Sequence, residues 1–371
     1  MSFRQRVRQL LYYDWLILAA ILLLCAFSLA ALYGIATGFE QPNYINLQKQ
    51  FVFILIGLSV MVGVSSVGLQ RFHQSSSIMY ALGLFLLVAV LVFGQTLRGT
   101  TGWFTVGTFG FQPVELGKLA LIVTLARVFS SRPGSGPLSN RTLVVSALLT
   151  GTYAALTLAQ PDFGSAILLV GIWVGMAALS GITWRQVLVG VGLFSIVAII
   201  GWNFMLQPYQ KSRILTFINP AADPYDRGYQ VRQSIIAIGS GQWFGRGLGS
   251  GSQSQLKFIP ASQTDFIFAV IGEELGFFGA TLVLGAYLVL FLRCIILVRR
   301  ASDDFASYLV IGISLLLFSQ VVINIGMNIG VLPVTGIGLP FLSYGGSYLV
   351  MTFALAGVAQ AVATHSIKYR V

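Results

Sequence analysis

The chain has 371 residues, of which 56% are hydrophobic and only 9% charged, and its mean hydropathy is +0.84. A soluble domain of this size has roughly 25% charged residues, so the composition excludes a protein with water on all sides. The net charge of +11 does not indicate nucleic-acid binding, because the basic residues sit at the ends of apolar segments and form no aromatic-interleaved patch.

Apolar stretches of about the 20 residues that a membrane-spanning helix needs recur along the whole chain. They are continuous rather than alternating, which argues against a β-barrel wall. The sequence therefore predicts an all-α polytopic membrane protein, 1–371, with about ten transmembrane helices. The first is interpreted as an uncleaved helix, because it is long for the apolar region of a signal peptide. The predicted spans are 15–36, 51–69, 77–94, 114–130, 143–160, 165–181, 187–206, 266–292, 305–329 and 346–364.

The basic residues predict the orientation, since cytoplasmic loops are enriched in Lys and Arg. With the N-terminus in the cytoplasm, the short outer loops contain only Lys49 and Arg98. Ten spans then place both termini in the cytoplasm. The remaining basic residues assigned to inner ends are Arg4, Arg6, Arg8, Arg71, Arg127, Arg132, Arg141, Arg185, Arg293, Arg299, Arg300, Lys368 and Arg370.

One connection is long: residues 207–264 form a large extracellular loop between the predicted helices 7 and 8. Structureless loops of this length are uncommon in compact proteins and are usually functional or disordered. Apolar islands at 235–238 and 256–259 predict that it folds against the membrane surface.

No metal or disulfide site is predicted from the sequence. Cys25 and Cys294 lie inside apolar segments, and the two histidines are far apart. Four of the eleven acidic residues lie near span ends, where we expect them to be solvated: Asp14, Glu40, Asp303 and Asp304.

Glu115 and Lys118 lie three residues apart at the start of a span, which places them on one helix face. Ionisable groups at membrane depth are costly and usually paired, so a structural ion pair and a pair lining a polar cavity are both open interpretations. Asp162, in Gln160-Pro-Asp-Phe-Gly-Ser165, is either a cap or turn residue or a site residue.

Asp265 lies where the long loop enters the eighth span. A carboxylate that enters an apolar helix loses hydration, which makes Asp265 a candidate general base, and a helix N-cap is the alternative. Glu273 follows eight positions later on roughly the same face. Without an evident partner, it indicates a water-filled cavity or a basic residue from elsewhere. Arg98 and Arg213 are outer-side candidates for contacting an anionic headgroup such as pyrophosphate.

The segment 324–347 mixes Gly, Pro, Asn and Ser at membrane depth. Irregular backbone is tolerated there only where it is buried in protein or lines a cavity. Close helix packing by small residues is the alternative, but Pro333, Pro340 and the Gly345-Gly346 pair favour a re-entrant, cavity-lining segment.

Four ordered blocks of sequence resemble the SEDS family (shape, elongation, division and sporulation; FtsW/RodA/SpoVE) of bacterial peptidoglycan glycosyltransferases. The blocks are Gly110-Phe-Gln-Pro-Val-Glu-Leu-Gly-Lys118, Gln160-Pro-Asp-Phe-Gly-Ser165, Thr264-Asp-Phe-Ile-Phe-Ala-Val-Ile-Gly-Glu-Glu-Leu-Gly276 and Leu339-Pro-Phe-Leu-Ser-Tyr-Gly-Gly-Ser347. The resemblance covers nearly the full length. The stretch Gly251-Ser-Gln-Ser-Gln-Leu256 is more similar to the elongation (RodA-like) branch than to the division branch.

The resemblance implies a transferase that polymerises lipid II during cell-wall elongation, in the bacterial inner membrane, with its active site facing outside. It implies that Asp265 deprotonates the acceptor 4-hydroxyl, which attacks the anomeric carbon of the donor as undecaprenyl pyrophosphate leaves. A divalent cation, Mg²⁺ or Mn²⁺, would offset the pyrophosphate charge. The implied partners are a class B penicillin-binding protein, other elongation-complex proteins and membrane lipid. The implied cavity residues are Asp162, Glu115 and Lys118, with Arg98, Arg213 and Ser343 near the pyrophosphate.

The chain departs from the family pattern at two places. The family often has a basic residue where Gly102 stands, and it usually has Glu and His on the approach to the catalytic aspartate, where this chain reads Pro260-Ala-Ser-Gln-Thr264. Two other functions are open. A lipid II flippase would need polar groups accessible from both faces, whereas the ionisable residues here cluster toward the outer half. A purely structural scaffold would leave the intramembrane Glu and Lys residues without a purpose.

Overall fold

The protein was analysed as a computed structural model, which describes residues 13–37, 42–97, 100–107, 109–131, 136–205, 211, 227–256 and 258–368. Nearly all regular structure in these ranges is helical. The helices are α1 Trp15–Thr37, α2 Ile45–Ser65, α3 Leu69–Phe93, α4 Pro113–Ser130, α5 Asn140–Ala159, α6 Phe163–Leu179, α7 Trp184–Ile200, α8 Arg227–Ser240, α9 Ser252–Gln255, α10 Ile267–Arg300, α11 Asp304–Asn328 and α12 Gly346–Lys368. A short π-helical turn, Gly201–Met205, follows α7.

Eight of the described helices are long and apolar enough to cross a membrane, which confirms the predicted polytopic membrane protein. Two further predicted spans, 114–130 and 165–181, coincide with the helices α4 and α6, which are shorter. Helix α4 lies in the interior of the bundle, where most of its residues are buried, so it needs no continuous apolar face toward lipid. The total of ten spans stays a prediction.

A small β-sheet lies between α3 and α4, where the sequence predicted only a loop. It has three antiparallel strands in the order β1-β2-β3, which are Gln95–Leu97, Thr100–Val106 and Phe109–Phe111. The backbone of β2 donates a hydrogen bond from Thr101 N to Gln160 O at the end of α5. The sheet is thus tied to the α5–α6 turn, which carries Asp162.

One ionic contact joins α1, α10 and α12 at the ends predicted to be cytoplasmic. Arg293 Nη2 lies 2.6 Å from Asp14 Oδ2, and the amide of Gln360 bonds both the N–H and the carbonyl of Asp14. The prediction that Asp14 is solvated is therefore wrong: it is buried, because Arg293 supplies its counter-charge. Asp303 and Asp304 are exposed as predicted, and Glu40 lies outside the described residues.

Helix α10 is interrupted at Gly276, whose φ of 64° and ψ of −160° are not helical. The interruption frees backbone groups on both sides, and the loop 242–247 pairs with them. Phe277 N and Phe278 N donate to the carbonyls of Gln242 and Trp243, at 2.8 and 3.1 Å. In return, the N–H groups of residues 246 and 247 donate to the carbonyls of residues 273 and 274, both at 3.0 Å. Such pairing is required because an unpaired backbone N–H or C=O group that is buried is costly.

Candidate functional site

Asp265 lies two residues before α10, and the residue is partly exposed. The helix begins at Ile267 with Phe266 at the N-cap position, so Asp265 lies one residue before the cap. The turn that leads into it is closed by Ala261, whose carbonyl accepts from Thr264 N and Asp265 N at 3.0 and 3.1 Å. Asp265 is therefore a loop residue held at the end of a helix, as the sequence predicted.

Two asparagines of α11 hold the backbone of Asp265. Asn324 Nδ2 and Asn328 Nδ2 each donate to Asp265 O at 3.0 Å. Both asparagines are fully buried. Neither asparagine is among the predicted site residues, although two amides one helical turn apart in an apolar span are a signal of a polar site.

The irregular segment 329–345 between α11 and α12 lies beside Asp265. A methyl group placed on Gly336 would lie 3.8 Å from Asp265 Oδ2, and Gly336 is exposed with a φ of 77°. Asn324 Nδ2 also donates to Ile337 O at 2.8 Å. Within the predicted irregular segment 324–347, the backbone is non-helical over 329–345, whereas 324–328 end α11 and 346–347 begin α12. That this segment is re-entrant and lines a cavity stays a prediction.

Ser343 closes the other end of this segment. Its hydroxyl donates to Thr264 O at 2.6 Å and accepts from Leu339 N at 2.7 Å, and the side chain is buried. These bonds tie the turn 339–343 to the residue before Asp265. The pyrophosphate contact proposed for Ser343 stays a prediction, and the observed contacts give this residue a role in holding the loop.

Asp162 lies on the far side of the same segment. It is the N-cap of α6, where Oδ1 accepts from Ser165 N at 3.0 Å, so the cap interpretation of the sequence is correct. Its second oxygen accepts from Gln112 Nε2 at 3.1 Å. A methyl group on Gly164 would lie 3.1 Å from Thr335 O, which places the start of α6 against the segment that also flanks Asp265.

Glu115 and Lys118 form a buried ion pair on α4, with Lys118 Nζ 2.7 Å from Glu115 Oε1 and side-chain exposures of 9% and 3%, respectively. The pair lies one turn after Gln112, the partner of Asp162. The hydroxyl of Tyr348, on α12, donates to Gly338 O at 2.7 Å and so joins α12 to the segment 329–345.

Glu273 lies apart from these contacts. Its two carboxylate oxygens accept from Gln253 N at 2.7 Å and Ser254 N at 2.9 Å, so it caps the N-terminus of α9. The sequence left Glu273 without a partner, and the structure supplies backbone amides instead of a cation or open water. Arg98 and Arg213 lie outside the described residues.

The described residues contain no cluster of three or more His, Cys, Asp or Glu side chains that could hold a metal ion by themselves. The arrangement offers one partly exposed carboxylate beside an exposed glycine, a second carboxylate at a helix N-terminus, and a buried Lys–Glu pair behind them. Such a set can take a proton from a hydroxyl, whereas an anionic group bound beside it would need a further cation, because Glu115 already neutralises Lys118. Its parts come from α4, α6, α10 and the segment 329–345.

A family model described as cell cycle protein, FtsW/RodA/SpoVE, matches residues 8–368. The chain belongs to this family. The peptidoglycan glycosyltransferase MrdB of Escherichia coli K12 is 36% identical over 319 residues, which are 86% of each chain. Stage V sporulation protein E of Bacillus subtilis is 34% identical over 359 residues, covering 95% of this chain and 97% of that protein. The predicted family and the enzyme class are thereby confirmed.

Two solved structures are similar over 95% of the chain. One comes from work titled "Structural coordination of polymerization and crosslinking by a peptidoglycan synthase complex", with a TM-score of 0.81 and 31% identity over 98% of that chain. The other is the rod shape determining protein RodA of Thermus thermophilus, with a TM-score of 0.71 and 28% identity over 96% of that chain. The fold described above is therefore a family property.

Proposed function

We propose that this protein polymerises lipid II into glycan strands during cell-wall elongation, with Asp265 as the general base. The observation that supports this most directly is the placement of Asp265. Its backbone is fixed by buried amides, whereas the residue stays partly exposed, with its carboxylate beside Gly336. A general base needs both features, because it has to meet the proton in a fixed geometry and remain accessible to the substrate.

In the proposed reaction the acceptor 4-hydroxyl of GlcNAc loses its proton to the Asp265 carboxylate. Its oxygen forms a bond to the anomeric carbon of the donor, and the bond from that carbon to undecaprenyl pyrophosphate breaks with its electron pair leaving on the phosphate oxygen. The proton remains on Asp265 until it passes to water. No oxidant or reductant is needed, and the products are a longer strand and free undecaprenyl pyrophosphate.

The leaving group concentrates negative charge, which the site has to balance. Lys118 lies on α4, whose N-cap residue Gln112 is the partner of Asp162, but Glu115 already neutralises it. Mg²⁺ commonly binds one or two carboxylates together with the phosphates of a substrate. Both oxygens of Asp162 already accept hydrogen bonds, and Asp265 has to act as the base, so these two carboxylates do not form a ready pair for the ion. We propose that a divalent cation bound mainly through the pyrophosphate oxygens would supply the charge neutralisation.

The elongation branch, the inner-membrane location with an outward-facing site, and a crosslinking partner belong to the same proposal. The loop Gly251–Leu256 favours elongation. The Lys and Arg bias favours an outer position for Asp265. A similar solved structure belongs to a peptidoglycan synthase complex that coordinates polymerisation and crosslinking. This supports a class B penicillin-binding protein as the partner of this chain.

The decisive experiment is a lipid II polymerisation assay with purified protein, alone and with its class B penicillin-binding protein. We expect Asp265→Asn to abolish polymer formation, a loss of at least about 100-fold, because general-base catalysis contributes roughly 10² to 10⁴. Gln263→Ala, two residues earlier in the same loop, is the matched control and should retain most activity. Polymer formation by Asp265→Asn at the wild-type rate would overturn the assignment. Lipid II movement across vesicles without polymer would favour a flippase.

A further inference from the structure

The side chain of Asn328 takes the place of a helical hydrogen bond at the start of α10. In a continuous helix, Ala269 N would donate to Asp265 O, four residues earlier. Here Ala269 N donates to Asn328 Oδ1 at 3.1 Å, while Asn328 Nδ2 donates to Asp265 O at 3.0 Å. The carboxamide is thus inserted between the two groups, and Ala269 N also reaches Phe266 O at 3.1 Å.

This insertion has a geometric consequence for Asp265. Because its carbonyl bonds to side chains of α11 instead of to its own helix, Asp265 is kept out of the first turn of α10. The position of Asp265 is therefore set by α11, a helix that begins 39 residues later in the chain.

Asn324 adds a second contact to the same carbonyl and links it to the neighbouring wall. Its Nδ2 lies 3.0 Å from Asp265 O and 2.8 Å from Ile337 O. Residue 337 follows Gly336, which faces the Asp265 carboxylate. One amide therefore fixes the candidate base relative to the segment beside which the acceptor has to bind.

The two asparagines also support each other. Asn328 Nδ2 donates to Asn324 O at 2.8 Å, and Ser234 of α8 donates to Asn328 O at 2.8 Å. Both side chains have zero exposure. A buried amide that loses its partner is left with the full cost of its desolvation, so each orientation is strongly held.

We propose that Asn324 and Asn328 are positioning residues, an amide clamp that fixes the backbone of Asp265 so that its carboxylate meets the acceptor hydroxyl. This inference rests on the proposed function of Asp265. The clamp does not touch the reacting atoms, and it acts through the geometry of Asp265. A displacement of a catalytic group by 1 Å can lower a rate roughly 100-fold, so the clamp is expected to affect turnover far more than substrate binding.

The test measures kcat and KM for lipid II with Asn324→Ala and Asn328→Ala, together with the milder serine variants at both positions. We expect kcat to fall roughly 10- to 100-fold with KM unchanged within about twofold, at a temperature well below thermal unfolding. The matched control is Ser314→Ala, ten residues before Asn324 along α11, where the Ser314 hydroxyl donates to Val310 O and also bonds the side chain of Cys294. It should keep the wild-type kcat.

Folding is followed by thermal unfolding in detergent for every variant, and the serine variants keep a small polar group if the alanine variants unfold. The clamp would be overturned if folded variants of both Asn324 and Asn328 kept the wild-type kcat. It would also be overturned if a rise in KM accounted for the entire loss of kcat/KM. Asp265→Asn is measured in parallel. If it is inactive while the clamp variants are normal, only the clamp fails. If it is active, the proposed base fails.

Discussion

The Glu115–Lys118 pair is a single buried contact on which the free energy of unfolding should depend strongly. Both side chains are at least nine-tenths buried, so neither charge is stabilised by water. Removing one partner of a buried pair costs about 3–5 kcal/mol, because the remaining charge is left uncompensated, whereas replacing both partners is often nearly neutral. A double variant should therefore stay folded, and its activity then shows whether the pair is structural or takes part in the reaction.

We therefore expect Lys118→Met to lower the free energy of unfolding by about 3–5 kcal/mol and the double variant Glu115→Gln with Lys118→Met to recover most of that loss. Thermal or denaturant unfolding in detergent measures the stability, and lipid II polymerisation is measured on the same samples. A stable double variant without activity would support a role in the substrate cavity. Full activity in that variant would reduce the pair to a structural one.

Among single residues, the sequence motifs and the high cost of burying a charge in a membrane single out Asp265, Asp162, Glu115 and Lys118, because ionisable groups in apolar spans are few. The residues that bond to the two aspartates could not be predicted from the sequence. Asn324, Asn328 and Gln112 act through contacts with residues between 50 and 63 positions away. The sequence shows no partner for Glu273, because the backbone N–H groups of α9 that donate to its carboxylate have no signature in the sequence.

At the scale of elements, the interruption of α10 is the clearest departure from a sequence-based expectation. The sequence predicted one long span, since the apolar run continues through Gly276. The loop 242–247 fills the interruption with four backbone hydrogen bonds. A methyl group on Gly276 would lie 2.3 Å from Gly245 N, so no other residue type fits there without moving the loop.

Substitution of this glycine should therefore loosen the outer loop. We expect Gly276→Ala to destabilise the protein by about 2 kcal/mol or more, since the backbone there is accessible almost only to glycine and the new side chain collides with the loop. The measurement is unfolding in detergent combined with limited proteolysis between residues 242 and 256, where cleavage should become faster.

Gly285→Ala is the matched control for this experiment, because it lies on the same helix and a methyl group there meets no atom within 4 Å. Alanine in a helix is favoured over glycine by up to about 1 kcal/mol, so this variant should be as stable as the wild type or slightly more so. Equal stability of Gly276→Ala and Gly285→Ala would show that the loop contacts do not hold the interruption.

The helices themselves were predictable, whereas the small sheet and the loop helices were not. A long apolar run forms an α-helix in a bilayer, since every backbone group has to be paired within the segment. The strands at 95–111 are only 3 to 7 residues long and depend on pairing with each other and with the α5–α6 turn. Helices α8 and α9 lie within the predicted loop 207–264, where low apolar content conceals them from a search for spans.

At the scale of the whole molecule, the segment 329–345 brings the site together. It touches Asp265 through Gly336, the start of α6 through residue 335, and Tyr348 through Gly338. A segment with little regular structure becomes the common wall of residues that lie far apart in sequence. Its glycines allow the backbone to approach these side chains closely, at positions where a larger residue would fill the space.

The proposed chemistry requires that this side of the molecule faces outward. The part of α10 after the interruption, 277–300, is about 36 Å long at 1.5 Å per residue, enough to cross the roughly 30 Å hydrocarbon core alone. We therefore expect the loops at its two ends to lie on opposite sides of the membrane. Arg293, Arg299 and Arg300 at its C-terminal end predict that this end is cytoplasmic.

Cysteine labelling tests this orientation with little background, because the native Cys25 and Cys294 are both buried. Ser250→Cys lies in the loop before α10 and Ser302→Cys lies just after it, and both positions are exposed. We expect a membrane-impermeant maleimide to label residue 250 in intact spheroplasts and residue 302 only after permeabilisation. The reverse pattern would place Asp265 on the cytoplasmic side, where it could not extend strands outside the cell.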